Sequence, residues 1–160
     1  MAEEGRQEGV VFQLAGLALA VPLGAVVRAV RAVAVTPLPE APAIVRGIID
    51  VHGEIVPVVD IRERLGLPAR ELEWDDHILI VRSPRRPLAL PVDRVGGLIA
   101  WRDEDLVAAA PLAPGTKHLK GILKDSGGLV LLQDLEAFLS TEEQDALDET
   151  IRHARTAGGS

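Results

Sequence analysis

The chain has 160 residues, 48% of them apolar, enough to bury one ordinary domain or two very small ones, which excludes global disorder. Against 24 acidic residues stand 17 basic ones, a net charge of −7, so the surface as a whole repels polyanions; four aromatics (Phe12, Trp74, Trp101, Phe138) are too few for a base-stacking platform, and no nucleic-acid partner is expected. With no cysteine, disulfides, thiol catalysis and cysteine-ligated zinc are excluded.

Residues 1–8 read as a disordered, acidic N-terminus (Glu3, Glu4, Glu8). Gly9 to Val27 holds no charge over 19 residues, close to the length of a membrane helix. Gln13, Gly16, Pro22 and Gly24 interrupt it, and its acidic flank suits neither a signal peptide nor a cytoplasmic anchor. It divides instead into two strand-like runs, Val10–Leu14 and Leu17–Val21, around a turn at Ala15-Gly16, so no membrane insertion is expected. A hairpin with its turn at His52-Gly53 follows. Two further runs, Ile78–Val81 and Leu88–Val92, flank the polar loop Arg82–Pro87. The last hairpin turns at Ser126-Gly127-Gly128; glycine at such turns supplies positive φ at no steric cost. Pro57 and Pro91 remove ladder donors and are expected at edges or bulges. Ser140 and Glu143 form a capping box before a helix of about three to four turns, with Leu147, Ile151 and Ala154 on its apolar stripe. Residues 157–160 read as a flexible end.

The chain contains the same half twice. Shifted by 74 positions, Gly47–Leu65 (GIIDVHGEIVPVVDIRERL) matches Gly121–Leu139 (GILKDSGGLVLLQDLEAFL) without a gap. Gly47/Gly121, Ile48/Ile122, Gly53/Gly127, Val56/Val130, Asp60/Asp134 and Leu65/Leu139 are identical, and Pro37-Leu38 matches Pro111-Leu112 in the same register. The earlier hairpins correspond with a slightly different offset. Gly47, Gly53, Gly121 and Gly127 are therefore read as backbone-shaping positions. Short strands punctuated by Gly and Pro, with about 60–65 residues per copy, predict a mainly β protein of two small barrels packed together with a C-terminal helix.

Catalytic apparatus is not visible. None of the four histidines has a second at ligand spacing; Asp50, His52 and Asp60 are the best metal set available, but the first two border a hairpin turn, so no metal and no cofactor is expected. Ser83, Ser126, Ser140 and Ser160 fall in turns, a cap or a tail, away from any nucleophile pattern. Asp60 and Asp134, equivalent in the two copies, suit either a carboxylate dyad or two turn caps, and their place at strand ends favours caps. The clusters Arg82/Arg85/Arg86 and Lys117/Lys120/Lys124 are read as solvated faces or protein-binding rims. A binding module is favoured over an enzyme.

Val45–Arg62 (VRGIIDVHGEIVPVVDIR) resembles the signature of the CheW-like coupling proteins of bacterial chemotaxis: a basic residue and Gly, two apolar residues, Asn-Leu-Arg-Gly, then an apolar run with Pro ending in Asp-Leu-Arg. Val10–Leu14 resembles the family's opening strand, and Pro91–Val95 its Val-Asp-x-Val segment. The resemblance spans about residues 9–145, leaving 146–160 as the rest of the helix and a tail. It implies two five-stranded SH3-like barrels and a non-enzymatic, cytoplasmic adaptor recruited to receptor arrays. Such adaptors join the regulatory domain of a CheA-type histidine kinase to the cytoplasmic tip of methyl-accepting chemoreceptors. On the matching positions, Val26, Asp50, His52, Ile78, Val95 and Leu98 are the partner-contact candidates implied, together with Arg28.

The departures are specific. Asn-Leu-Arg-Gly is Asp50-Val51-His52-Gly53 here, the usual Tyr-Gly is Leu19-Ala20, and a usual Glu is Arg28. His52 does not offer the bidentate, permanent cation that Arg does. Such changes suit an adaptor of a divergent chemosensory pathway, insulated by charge from a paralogue. The alternatives are a small-molecule sensor holding an apolar ligand in the groove between the barrels, or a competitor adaptor using that groove.

Overall fold

The computed structural model describes residues 5–31, 34–68, 70, 76–107 and 119–158. Residues 1–4, Trp74, Pro111-Leu112, Lys117, His118 and residues 159–160 lie outside these, as does the side chain of Ala154. The described strands are β1 (Arg6–Leu14), β2 (Leu17–Pro22), β3 (Val26–Arg31), β4 (Val45–Val51), β5 (Glu54–Val59), β6 (His77–Arg82), β7 (Pro87–Val92), β8 (Arg94–Arg102), β9 (Leu119–Asp125) and β10 (Gly128–Gln133). A short helix α1 (Ile61–Leu65) follows β5, and α2 (Thr141–Gly158) closes the chain. The uncharged stretch from Gly9 to Val27 is therefore a hairpin and the entry to β3. No helix among the described residues is long and apolar enough to cross a membrane.

Two turns form as the sequence predicts. Ala15-Gly16 (φ 51° and 82°) and His52-Gly53 (φ 52° and 87°) both take the left-handed pair that matches strand twist in two-residue hairpins. The third differs: Gly127 has no positive φ, and it is Gly128, the first residue of β10, that carries φ 129°. Order also begins earlier than expected. Arg6, Gln7 and Glu8 are strand, paired with Arg102, Trp101 and Ala100 of β8, so the disorder expected for residues 1–8 does not extend to them. The bonds come from a strand distant in sequence, which local composition does not report.

The strands form two five-stranded sheets, ordered β8-β1-β2-β10-β9 and β3-β6-β7-β5-β4. The duplication alone suggests that each copy folds on itself. Instead, each sheet takes its hairpin from one copy and its other three strands from the other. The halves are interleaved, and neither unit exists without the whole chain.

This exchange explains the apolar runs. β1-β2 and β6-β7 lie inside their sheets with both faces covered, so they read as continuous Val, Ile, Leu and Ala. Phe12, Leu14, Leu19 and Val21 from one hairpin, and Leu79, Val81, Leu88, Leu90 and Val92 from the other, meet in a central core between the sheets. The opposite faces line separate small cores: Ala20, Ile99, Trp101, Leu123, Val130 and Leu132 in the first unit, and Ile49, Val56, Val58, Ile78, Ile80 and Ala89 in the second.

The prolines are not at edges. β5 and β7 are inner strands, and the parallel seam between them is reduced to the single pair Val58↔Ala89. Pro57 and Pro91 flank that seam. The equivalent seam in the first unit has Leu131 and Ala20 at those positions and keeps three pairs, Val130↔Ala18, Leu131↔Leu19 and Leu132↔Ala20. Missing proline donors shorten the ladder inside the sheet rather than excluding the residue from it.

Gly47 and Gly121 do the same job in the two copies. At each, a crossing segment makes an isolated bridge to the next residue, Thr36↔Ile48 and Val107↔Ile122. A Cβ on Gly47 would lie 2.4 Å from the Thr36 carbonyl oxygen, and one on Gly121 would lie 2.6 Å from Leu106 and 2.8 Å from the Val107 carbonyl oxygen. Close backbone approach, not a turn, selects glycine there.

The capping box closes as predicted, with Ser140 N–H donating to Glu143 Oε1 (2.9 Å) and Glu143 N–H to Ser140 Oγ (3.1 Å). The helix runs 18 residues, longer than predicted. Leu147 and Ile151 enter the central core beside Phe138 and Leu139. Burying each contributes about 2 kcal/mol, so the packing continues through residue 145 without a boundary.

Candidate protein-docking surface

β3 and β8 each end a sheet and pair on one side only among the described residues. They are equivalent in the two copies, and each carries a run of three exposed positions: Val27, Arg28 and Ala29 on β3, and Gly96, Gly97 and Leu98 on β8. Leu98 is 64% exposed, an apolar side chain held in solvent beside an open strand edge.

The implied contact residues separate into groups. Arg28 and His52, far apart in sequence, line one groove of about 370 Å³ at the mouth of the second unit. Asp50 stands at the same turn, where its Oδ1 accepts the Gly53 N–H at 2.7 Å and braces the hairpin. Val26 and Val95 are half-buried against the central core, and Leu98 lies on the first unit. Ile78 is corrected: it has no exposed surface and packs inside the second unit. β6 is an inner strand with both faces covered, so a match to a contact position there becomes a core position.

The cluster read as a solvated face or protein-binding rim belongs to this same groove. Arg82, Arg85 and Arg86, from the β6–β7 turn, line it with Arg28 and His52, above an apolar floor of Val27, Val51, Val56 and Ile80. The signal available was the cluster itself, but nothing local links that turn to β3. Two of its cations are already engaged: Arg85 meets Asp145 (3.3 Å) and Asp148 (2.7 Å) on α2, and Arg86 also pairs with Asp148. Two of the three arginines of this turn therefore pair with the C-terminal helix.

A second groove, of about 400 Å³, lies between the units and carries charges of both signs. Arg46 meets Asp60 at 3.3 Å, Arg62 meets Asp93 at 3.2 Å, and Arg70 reaches Asp76 (2.6 Å) and Asp93 (3.2 Å). Burial alone would raise the Asp93 pKa. The Ala15 N–H at 2.8 Å, the Arg70 hydrogen bond and the charges of Arg62 and Arg70 outweigh it, and hold the carboxyl below its usual range. The walls between these charges are apolar: Leu14, Val35, Pro37, Val58, Pro91 and Val92.

Asp60 and Asp134 act as caps. Asp60 Oδ1 accepts the Arg62 N–H at 3.0 Å, and Asp134 Oδ1 accepts the Glu136 N–H at 3.0 Å. They line different cavities, so no carboxylate dyad forms. No three His, Asp or Glu side chains gather as a metal centre would require among the described residues.

The overall architecture has a counterpart among solved structures, and the sequence has relatives. The model of the CheW-like domain family matches residues 8–143. The chain belongs to the CheW-like family. It is 31% identical over 113 residues to the chemotaxis protein CheW of Rhizobium meliloti, covering 69% of this chain and 73% of that one. The CheW of Treponema pallidum is 26% identical over 140 residues, covering 84% and 82%. Among solved structures, the scaffolding protein TtCheW of Thermoanaerobacter tengcongensis matches with a TM-score of 0.77 and 28% identity, over 86% of this chain and 94% of that one. The likeness therefore extends beyond the signature stretch to the architecture, two SH3-like five-stranded units and a C-terminal helix.

Proposed function

We propose that this CheW-like protein is a non-enzymatic cytoplasmic adaptor that couples the cytoplasmic tip of methyl-accepting chemoreceptors to the regulatory domain of a CheA-type histidine kinase within receptor arrays. The observation that carries the reading is the family match across residues 8–143, on a chain that presents an open strand edge on each of its two units. An adaptor needs two surfaces that are usable at once. β3 with its cationic groove and β8 with exposed Leu98 are separate in just that way.

Arg28 and His52 support a place in a divergent pathway. Both line the same groove, so the two departures from the family pattern act on one surface rather than at scattered points. The test is calorimetric titration of the full chain with the regulatory domain of a CheA-type kinase from the same cell, and separately with a soluble chemoreceptor tip. Micromolar or tighter binding to both is expected. Binding to the receptor tip alone overturns the coupling role in favour of a competitor adaptor, and binding to neither overturns the reading altogether.

A further inference from the structure

We propose that the mouth groove of the second unit docks an acidic protein segment bearing an apolar anchor. Four arginines, Arg28, Arg82, Arg85 and Arg86, and His52 surround it, against Glu54 alone. In a chain of net charge −7 this concentration of cations is the opposite of the average surface. Arg85 and Arg86 are engaged by α2, but Arg28 and Arg82 make no ion pair with any described residue. Their guanidinium groups line the groove with their donors unused, the arrangement that takes carboxylates in charge-assisted pairs.

The floor sets the second requirement. Val27 is 40% exposed, and Val51, Val56 and Ile80 stand with it in the groove. A cavity of about 370 Å³ is the size of a small-molecule site, so it takes an anchoring side chain with flanking carboxylates rather than a whole folded face. Nucleic acid fits less well: Phe12, Trp101 and Phe138 are buried, so no exposed Phe, Tyr or Trp among the described residues is there to stack on bases. The open edge of β3 gives the segment's main chain a place to pair beside the groove. The inference rests on the reading that this protein works through protein contacts, and it goes further by naming the chemistry of one partner.

The test is fluorescence anisotropy of the full chain with a short labelled peptide of alternating Glu and Leu. A Lys–Leu peptide and a labelled oligothymidylate of equal length run beside it. The Glu–Leu peptide is expected to bind saturably and to weaken with salt. Binding should fall by about tenfold or more in the double variant Arg28→Glu/Arg82→Glu, and stay unchanged in Arg94→Glu, an exposed charge swap on β8. A circular dichroism melt verifies that each variant is folded. The inference is overturned if the Glu–Leu peptide does not bind, if Arg94→Glu weakens it equally, or if the oligothymidylate binds as tightly. Kinase-domain binding without peptide binding overturns this inference and leaves the adaptor role standing. Peptide binding without kinase binding does the reverse.

Discussion

Two grooves in this protein are rich in arginine, and they serve different ends. Between the units, Arg46, Arg62 and Arg70 each have an aspartate within 3.3 Å, and Asp60 and Asp93 are held in turn by the backbone N–H groups of Arg62 and Ala15. At the mouth of the second unit, Arg28 and Arg82 have none. The first groove is a clasp: its charges neutralise each other and join β1, β4, α1 and the β7–β8 link. The second keeps its charge for something outside the chain. Residue type does not separate a structural arginine from an interacting one; the presence of a fixed acceptor does.

The largest effect is expected from breaking the wall of the clasp. Val35 and Pro37 line the inter-unit groove because their segment crosses Gly47 at van der Waals contact. Gly47→Ala places a Cβ 2.4 Å from the Thr36 carbonyl at a φ of 153°, so that segment must lift from β4. A loss of about 3 kcal/mol in urea denaturation is expected. A loss under about 0.5 kcal/mol would mean that the crossing is loose and the groove is not a built structure.

Removing one acceptor from the clasp is the next step down. Asp93→Ala takes the acceptor from Arg62 and from the Ala15 N–H, and leaves Arg70 with Asp76 alone of its two aspartates. About 1 kcal/mol of stability should go, discounted because the carboxylate is partly exposed. The pH dependence sharpens this. Because the folded pKa of Asp93 lies below its unfolded value, its contribution is complete above the ordinary carboxylate range and is lost as pH falls through the folded pKa. Asp93→Ala should therefore flatten the acid limb of the melting curve and leave the alkaline limb unchanged. An unaltered acid limb would show that the clasp draws nothing from that carboxylate.

The smallest effect on stability belongs to the other groove. Arg82→Glu alone should shift stability by less than about 0.5 kcal/mol, since no fixed partner is lost. A loss equal to that of Asp93→Ala would erase the contrast between the two grooves. Between these extremes, Asp148→Asn removes a partner of both Arg85 and Arg86 on the docked helix. About 0.5 kcal/mol is expected, diminishing in high salt, because the pairs are partly exposed.

Much of the architecture was legible because it is written locally. The two left-handed hairpin turns, the capping box, the duplicated glycines and the signature from Val45 to Arg62 each involve residues within a few positions of one another. The contact residues were legible only in part. Arg28 and His52 do share a groove, but Ile78 went into the core, and the Arg82/Arg85/Arg86 cluster, read as a solvated face or a protein-binding rim, carried no local sign that it joins that groove. A strand's hydrophobic pattern tells which residues are apolar, and a two-faced strand has no polar side to mark which of them meets a partner.

By itself, then, the sequence determined the two hairpins of each copy, the turns at Ala15-Gly16 and His52-Gly53, the helix start and the family. Only the tertiary structure decided which hairpin sits in which sheet. Both copies offer nearly the same edges to the same hairpins, so local energies hardly distinguish a self-contained half from an exchanged one. The choice falls to the links and to the central core, where Phe12, Leu79, Phe138 and Leu147 must be buried together. The same exchange brings the β6–β7 turn of one copy to β3 of the other, and so creates a cationic groove that neither copy contains alone.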